Sequence, residues 1–580
     1  MTGTDDDVSR RQALWRLGAS GAVLGLAGCA GDGTGTATGG AGTDDGGTGT
    51  DTGGTGTGDG GETTENTADS GGGVQAFVGA LGSEPDSLDV HSASRRPEAI
   101  VLSAINEPLF RVDPDKQAVP HLAADYESNA DGTEHTVRLE EGVTFHDGEP
   151  LTADVAAWNL ERFAENSPYS ARLGDFDAIE ATGEREFVVR YGDPYPLLPR
   201  YLAYWNVGMV SRAAVEEAGE GYGTDVAVGT GPYQFEAWNG GESIRVSRND
   251  DYTWGPSWLA NTGPAHLETL TFRIIPESTT LLQEVTAGEV HGSPYVPLAD
   301  TGAVEDQSGT ELHRLEYTRP GFLCLNTRKP PTDDLRVRKA IVHAIDRDPV
   351  IETSVGGEGY PIWNLVPPIA VNALGEERAK DLGQQFDPGR ARALLAEAGW
   401  RNDGEGSVRT RDGQQLELTF LAFNIGRYAT MAKTVQPMLE SVGVSVELRV
   451  LEAGTLYNDL SNSQHHLVTM AGGGNYAADA IEPLLLGEND ATEGGTNFSL
   501  WHNDAFDEAI ATAKSSPDPE ERRRAAIRAQ ELTLEEAPVA PILGYNKVYG
   551  NKTALSGLEA WKRHPWWPDR HYVKRLEFDL

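Results

Sequence analysis

Two short stretches place residues together that could do chemistry. In "VTFHDGEPLTADV", His146 and Asp147 form the kind of pair in which an imidazole acts as general base and a carboxylate orients it. In "SQHHLV", His465 and His466 are the residue type that binds transition metals. Their surroundings argue against both roles. Gly148 and Pro150 mark a turn and Thr152 a helix N-cap, so the first stretch reads as scaffold. Adjacent residues on a strand point to opposite faces, which keeps His465 and His466 from sharing one ion. "AGGGNY" at 471–476 is glycine-rich without the spacing of a phosphate loop. The chain has no Gly-Lys-Ser/Thr, Cys-x-x-Cys, His-Glu-x-x-His or Gly-x-Ser-x-Gly motif. No enzyme chemistry, metal or other cofactor is called for.

The two cysteines have different settings. Cys29 ends "SRRQALWRLGASGAVLGLAGC", in which the apolar run from Leu17 to Gly28 is far short of the roughly 20 residues that cross a bilayer. Arg10 and Arg11 look like a twin-arginine export pair, and Leu26-Ala27-Gly28-Cys29 resembles the lipobox of prokaryotic lipoproteins. Cys29 is therefore expected to become a lipidated N-terminus on the outer face of the cytoplasmic membrane. From Ala30 to Gly73 the chain is almost all Gly, Thr, Asp and Ala, too apolar-poor to offset ordering entropy. It reads as a disordered tether reaching roughly 35 to 40 Å. Cys324, in "GFLCLN", reads as a buried small apolar residue, and two cysteines make no disulfide framework.

The formal net charge is -42 over 580 residues, spread along the chain rather than gathered in a block. That describes a solvated acidic surface, similar to those of extreme halophiles, where the Debye length falls to about 3 Å at molar salt. A nucleic-acid partner would need a basic stripe, and none is present.

These features must be carried by elements that the pattern specifies. Alternating apolar residues predict strands in "TVRLEEGVTF", "SIRVSR", "LTFRII" and "VSVELRV". Asp387 caps a helix with Pro388 in its first turn, Ala391, Leu394, Leu395 and Ala398 on one face, and Gly399 as its stop. Val337, Ala340, Ile341, Ala344 and Ile345 predict the inward face of another, and Thr152 starts a third. Strands and helices interleaved over this length indicate α/β domains.

In their order, "INEPLFRVDPDKQAVPHLAADY", "VGTGPYQFEAWNGGESIRVSRNDDY", "LTFRIIPESTTLLQEVTAGEV", "FLCLNTRKPPTDDLRVRKAIVHAIDR", "DPGRARALLAEAGW" and "FDEAIATAKSSPDPEERRRAAIRAQELTLEEAPVAPI" resemble the family 5 extracellular solute-binding proteins of ABC importers. The resemblance runs from Val74 to about Leu543. It implies a two-lobed periplasmic-binding-protein-like clamp of type II, with a domain inserted into lobe I. Lobe I would comprise 74–104, 229–317 and 540–580, the inserted domain 105–228, and lobe II 318–539. The implied partners are a small solute, a permease and ATPase complex, and the membrane through Cys29.

Site residues follow from the same resemblance. In oligopeptide-binding members a lobe I loop lies along the ligand, which maps to Ser94, Arg95 and Arg96, and a tyrosine of the inserted domain maps to Tyr169. A Trp-x-x-Asp-Tyr strand end in lobe II supplies an Asp for the peptide's ammonium; here "GGGNY" puts Gly472 in place of the Trp and Asn475 in place of the Asp, with Asp479 as the other counterpart. A peptide is the first expectation. Asn475, Tyr169, Tyr476, Trp363 and Trp501 are also the types that bind oligosaccharides. Arg95 and Arg96 would suit an anion, and an extracellular hydrolase is a remote alternative. Asn497-Phe498-Ser499 and Asn551-Lys552-Thr553 match glycan acceptors.

Overall fold

The computed structural model describes residues 76–556, apart from 114, 115, 258, 260, 318, 403, 405 and 406, together with 577 and 578. The export segment 1–29 with Cys29, the tract 30–73 and Val74 lie outside the described residues. The principal elements begin with β1 (Ala76–Leu81) and α1 (Arg96–Ile105). Next come β2 (Ala123–Ser128), β3 (Glu134–Leu139), α2 (Ala153–Asn166), β4 (Phe176–Ala181), β5 (Glu186–Tyr191) and α3 (Leu198–Tyr201). They are followed by β6 (Tyr233–Asn239), β7 (Ser243–Arg248), β8 (Thr269–Ile274), β9 (Gly292–Ser293) and β10 (Thr310–Glu316). The rest comprises β11 (Gly321–Leu325), α4 (Leu335–Ala344), β12 (Gly359–Pro361), α5 (Pro388–Glu397), β13 (Glu417–Phe423), α6 (Gly426–Ser441), β14 (Ser445–Leu451), β15 (Leu467–Ala471), α7 (Ala477–Leu485) and β16 (Val539–Lys552).

The helices start and stop for the reasons read from the sequence. The Asp387 carboxylate accepts the Arg390 N–H at 2.8 Å, Ala391, Leu394 and Leu395 are buried, and Gly399 takes φ +89° to end α5. Thr152 caps α2 in the same way, its hydroxyl accepting the Val155 N–H. In α4 the expected apolar face is buried, but so is Arg338, which donates to the carbonyls of Thr332, Asp333 and Glu536.

Twelve strands join into one sheet, ten along a single path and two branching from β16, which is common to two lobes. In the first lobe β1 pairs in parallel with β8 and β9, and β7 and β6 extend the edge. In the second, β14, β13 and β15 run in parallel and β15 pairs antiparallel with β11. β16 pairs with β11 through Leu543, with β12 at Leu543–Tyr545, with β10 from Asn546 onward, and with β9 at Gly550 and Asn551. Every residue of β11 is buried, Leu323 and Leu325 in one apolar cluster, Phe322 and Cys324 in another. Both faces of this strand are covered by helices, hence its unbroken apolar run. Burial pushes the Cys324 thiol up to about 12, as suits an inert core residue.

A separate four-stranded antiparallel sheet, in the order β2-β3-β5-β4, packs with α2 around Val137, Leu139, Leu160, Phe163, Phe187 and Val189. Its junction with the first lobe is organised by one carboxylate. Glu107 is fully buried and accepts from Arg111 at 2.7 Å, His121 at 2.9 Å and the Tyr252 hydroxyl at 2.7 Å on one oxygen, and from Trp254 at 3.0 Å on the other. Burial would raise its pKa, but His121 and Arg111 outweigh burial and hold the carboxyl well below its usual range. Beside it the backbone of Gly229 and Gly231 approaches Ile105 and Ala104 so closely that a Cβ would stand 2.2 and 2.4 Å from their carbonyl oxygens. The "GTG" turn needs glycine for that reason.

Replacing Glu107 with Ala should lower the unfolding free energy by about 3–5 kcal/mol, because Arg111 is left buried without its anion. Glu107→Gln, which keeps an acceptor, should lose less. Denaturant titration of the three proteins checks the order.

Candidate functional site

In open α/β sheets ligands sit beyond the carboxyl ends of parallel strands, where the strand order reverses. The registers here bring two such edges together. In the second lobe β13, β14 and β15 end at Phe423, Leu451 and Ala471, and Ala471 is opposite Gly321 at the start of β11. In the first, β1, β8 and β9 end at Leu81, Ile274 and Ser293, and Ser293 is opposite Gly550 of β16. Following β16 from either side leads to Tyr545, whose carbonyl accepts the Tyr317 N–H at 3.2 Å. The two tyrosine rings meet edge to face at 5.3 Å, and Arg427, in the first turn of α6, lies over Tyr428 and Tyr545.

One wall of the site comes from the four-stranded unit. Leu198 and Leu202 are buried in its core and fix α3, so that Arg200 and Tyr201 project from it. The Arg200 guanidinium lies 3.5 Å from the centroid of Tyr476 and pairs with the Asp479 carboxylate on α7; the Tyr201 hydroxyl donates to Asp479 Oδ1 at 3.1 Å. Behind them Tyr191, Tyr195, Tyr201 and Tyr204 form a ladder with neighbouring centroids 4.7 to 6.1 Å apart. Arg172 then sits 4.0 Å from Tyr204 and 4.2 Å from Tyr169, and donates to Asn206 Oδ1 at 2.8 Å. The Tyr169 hydroxyl donates to the Ser94 carbonyl at 3.3 Å. Burial pushes the Tyr476 hydroxyl up to about 12 against the opposing pull of Arg200, so it remains a neutral donor. The result is a wall of guanidiniums placed over phenol rings, with Arg172 donating to Asn206 and Arg200 paired with Asp479.

The expected site residues fall into two groups. Ser94, Tyr169, Tyr476 and Asp479 share this wall. Arg95 is instead held by Asp86 at 2.5 Å and Ser83 at 2.9 Å, and Arg96 donates to the Pro294 carbonyl and lies over Tyr295. Both arginines anchor the start of α1. Asn475 is buried, and its backbone carbonyl accepts the Val371 N–H at 2.7 Å, whereas the Asp479 carboxylate meets Arg200 and Tyr201 of the opposite wall. Gly472 lies against the methyl groups of Leu484, from the nearest of which a Cβ there would stand 2.9 Å. Trp501 is 4% exposed and packs in the core with its ring tilted against Phe506 at 5.0 Å, and its backbone carbonyl accepts from the Asn497 amide. Trp363 lines a cavity of about 280 Å³ with Glu316, Tyr360 and Leu374, and Lys380 stands 4.4 Å over its ring. Sequence reasoning does not reach Arg172, Arg200, Tyr201, Tyr204 and Arg427; for three of them the signal is one arginine among the aromatic residues of "LLPRYLAYW".

The other motifs are structural. His146 donates from Nε2 to the Gly231 carbonyl at 2.9 Å and accepts the Gly229 N–H at Nδ1. His465 donates to the Phe498 carbonyl at 2.7 Å, and His466 spans Thr419 and Pro330. Among the described residues no group of three or more His, Cys, Asp or Glu side chains could hold a metal ion. Asn497 and Asn551 are fully buried and hydrogen-bonded, which closes both glycan-acceptor matches.

A two-lobed α/β clamp with charged and aromatic groups facing across its strand ends is the architecture of a solute receptor. The chain belongs to the family described as bacterial extracellular solute-binding proteins, family 5: residues 117–489 match that family's middle region. It is 25% identical over 490 residues to the glutathione-binding protein GsiB of Escherichia coli K12, covering 83% of this chain and 91% of that one. Its fold is similar to NikA of Brucella suis solved with Fe(III)-EDTA (TM-score 0.74, 23% identity, 87% of this chain and 99% of that one). It is also similar to DppA of Helicobacter pylori solved with the peptide STSA (TM-score 0.67, 21% identity, 87% and 98%).

Acid should destabilise the fold at three buried histidines, two at the junctions of the four-stranded unit and one in the second lobe. His91 donates to the Gly208 carbonyl and accepts from Arg162, and burial lowers its pKa to about 4; burial does the same to His146 and His465. Between pH 6.5 and 4 the unfolded chain binds protons at these sites and the folded chain does not. Stability is therefore full above pH 6.5 and falls as pH drops, by up to about 1.4 kcal/mol per pH unit per histidine. Melting curves from pH 8 to 4 check this, and His91→Gln should flatten the slope.

Proposed function

We propose that the chain is the receptor of an ABC importer, that it captures a peptide between its lobes, and that it delivers the peptide to a permease and ATPase complex. The carrying observation is the carboxylate of Asp479, at the start of α7, aimed across the lobes with Tyr201 and Arg200 opposite. An ammonium is the natural partner of such an acceptor-only group, and a charge-assisted bond there contributes about 1.5–3 kcal/mol. On this reading Asp479, rather than Asn475, takes the anchoring part. The relatives that bind glutathione and the peptide STSA support the same class of solute.

The proposed lobe I is 74–104 with 229–317 and the end of the chain, the inserted domain 105–228, and lobe II 318 to the crossing of β16. That crossing is best placed at Gly544–Tyr545, since Val539–Leu543 still pair with β11. The twin-arginine segment, the lipid on Cys29 and the tether from 30 to 73 would hold the clamp outside the cell beside its permease. The acidic surface fits a halophilic setting. Its work is binding and release, without turnover. Oligosaccharide binding is disfavoured because guanidiniums already cover one face of Tyr169, Tyr204 and Tyr476, while Trp501 lies in the core.

The test is thermal melting of the protein in molar salt against mixed peptides, oligosaccharides and nickel chelates in parallel. A solute that binds only the folded state adds about 2.7 kcal/mol at a hundredfold excess over its dissociation constant. A shift with peptides, lost in Asp479→Asn, is the expected result; a shift with sugars or chelates alone would replace this reading.

A further inference from the structure

The cavity of about 280 Å³ beside Trp363 shares no lining residue with the wall of Arg200, Tyr201 and Tyr476. Tyr360, Ile362, Trp363, Val366 and Leu374 give it apolar sides, and Asn364 lines it while only 4% exposed. A neighbour fixes which way the Asn364 amide is turned. Gln530, fully buried, donates from Nε2 to the carbonyls of Asn372 and Ala526, both at 2.8 Å. Its Oε1 is left to accept, from the Leu374 N–H at 2.7 Å and from Asn364 Nδ2 at 2.8 Å. With Nδ2 committed to Gln530, Asn364 Oδ1 must face elsewhere, and it is buried without a hydrogen-bond donor among the described residues. A buried acceptor in that state costs free energy that a donor brought by a ligand would recover.

Charge adds a second constraint. Lys380 and Glu376, one turn apart on the helix Glu376–Leu382, pair with each other at 2.6 Å. Glu316, at the end of β10, is exposed and makes no ion pair among the described residues; Lys116 feels its charge but donates to the Ile369 carbonyl instead. The lining thus combines one uncompensated negative charge with one unmet acceptor, and its single cation already has an anion.

We propose that this cavity is a binding site for a small apolar amine in its protonated form. The hydrocarbon body lies against Tyr360 and Trp363, and the ammonium donates to Asn364 Oδ1 and is balanced by Glu316. An ammonium suits both groups because it is a donor only. A carboxylate would bring a further acceptor and a like charge, and an alcohol would satisfy Asn364 while leaving Glu316 unmatched. An apolar cavity of roughly 150 Å³ takes a benzene ring, so this one has room for a ring with a short chain. Glu316 comes from the first lobe and Asn364 from the second, which puts the occupant at the seam beside β16. What the interlobe wall binds has no part in this assignment.

The experiment is calorimetric titration of the full chain, in molar salt, with three probes of one shape: phenethylammonium, 2-phenylethanol and 3-phenylpropionate. Phenethylammonium should bind about 10-fold more tightly than the alcohol, and the carboxylate more weakly than either. Asn364→Leu should weaken the amine by about 10-fold. Glu316→Gln, at an exposed position that the fold does not depend on, should weaken it by about 2- to 5-fold and leave the alcohol unchanged. No binding of any probe would overturn the proposal, as would equal affinity for the three. So would amine binding that neither variant alters. Amine binding lost in Asp479→Asn, yet kept in Glu316→Gln and Asn364→Leu, would move the ammonium to the interlobe site and overturn it too.

Discussion

The lobes share a strand. β16 is hydrogen-bonded into the second lobe through β11 and β12, and then, without a break, into the first through β10 and β9. Separating the lobes completely would break this ladder, and the chain crosses between them a second time, from β10 to β11. A hinge of this kind allows one soft motion and resists the rest. It also fixes where the site lies, because the carboxyl ends of the parallel strands in both lobes point toward the same crossing. Tyr317, Tyr545 and Arg427 form its floor for that reason.

Glu107 determines which parts move together. Arg111 and His121 lie on the inserted unit, and Tyr252 and Trp254 on the chain after its return, yet all converge on one buried carboxylate. The bidentate pair of Asp89 with Arg162, at 2.9 and 2.7 Å, makes a second tie between the same bodies. The inserted unit should therefore travel with the first lobe as one piece. Arg200 and Tyr201 of that unit meet Asp479 of the second lobe, and Lys116, which reaches the Ile369 carbonyl, makes a further contact of the same kind. A wall fixed to one lobe and an anchor fixed to the other turn closure into a test of what lies between them.

Much of this architecture was legible in the sequence, and the reasons are local. The N-caps Thr152 and Asp387, the stop at Gly399 and the alternating strands are decided by neighbours within a few residues, so they could be read directly. The resemblance of ordered blocks supplied the clamp. The site was legible only in part. Tyr201 and Asp479 are 278 positions apart in the chain, and no local pattern shows that the arginine before that tyrosine has a partner in another lobe. Arg95 and Arg96 misled in the opposite sense: adjacent cations suggest a receptor for anions, but Asp86, Glu98 and Tyr295 had already engaged them. Trp501 had the right chemistry for a sugar and the wrong side of the backbone. Glu107 gave no signal at all, because one acidic residue among 89 acquires meaning only from the donors folded around it.

The net charge of -42 creates a problem that the site's construction answers. A strongly acidic surface repels anionic solutes and attracts cations without discrimination, so selectivity cannot rest on long-range fields. Salt removes the first effect, since the Debye length falls from about 10 Å at 0.1 M to about 3 Å at 1 M. It would also weaken any exposed ion pair used for recognition. Arg200 and Asp479 avoid that loss by being mostly buried and in contact, at separations shorter than any screening length. On the peptide reading, charges arranged in this way would be reached only by a solute that has entered the cleft. Recognition by enclosed, mutually neutralised charges is thus compatible with an acidic exterior, and it becomes more selective, relative to the surface, as salt increases.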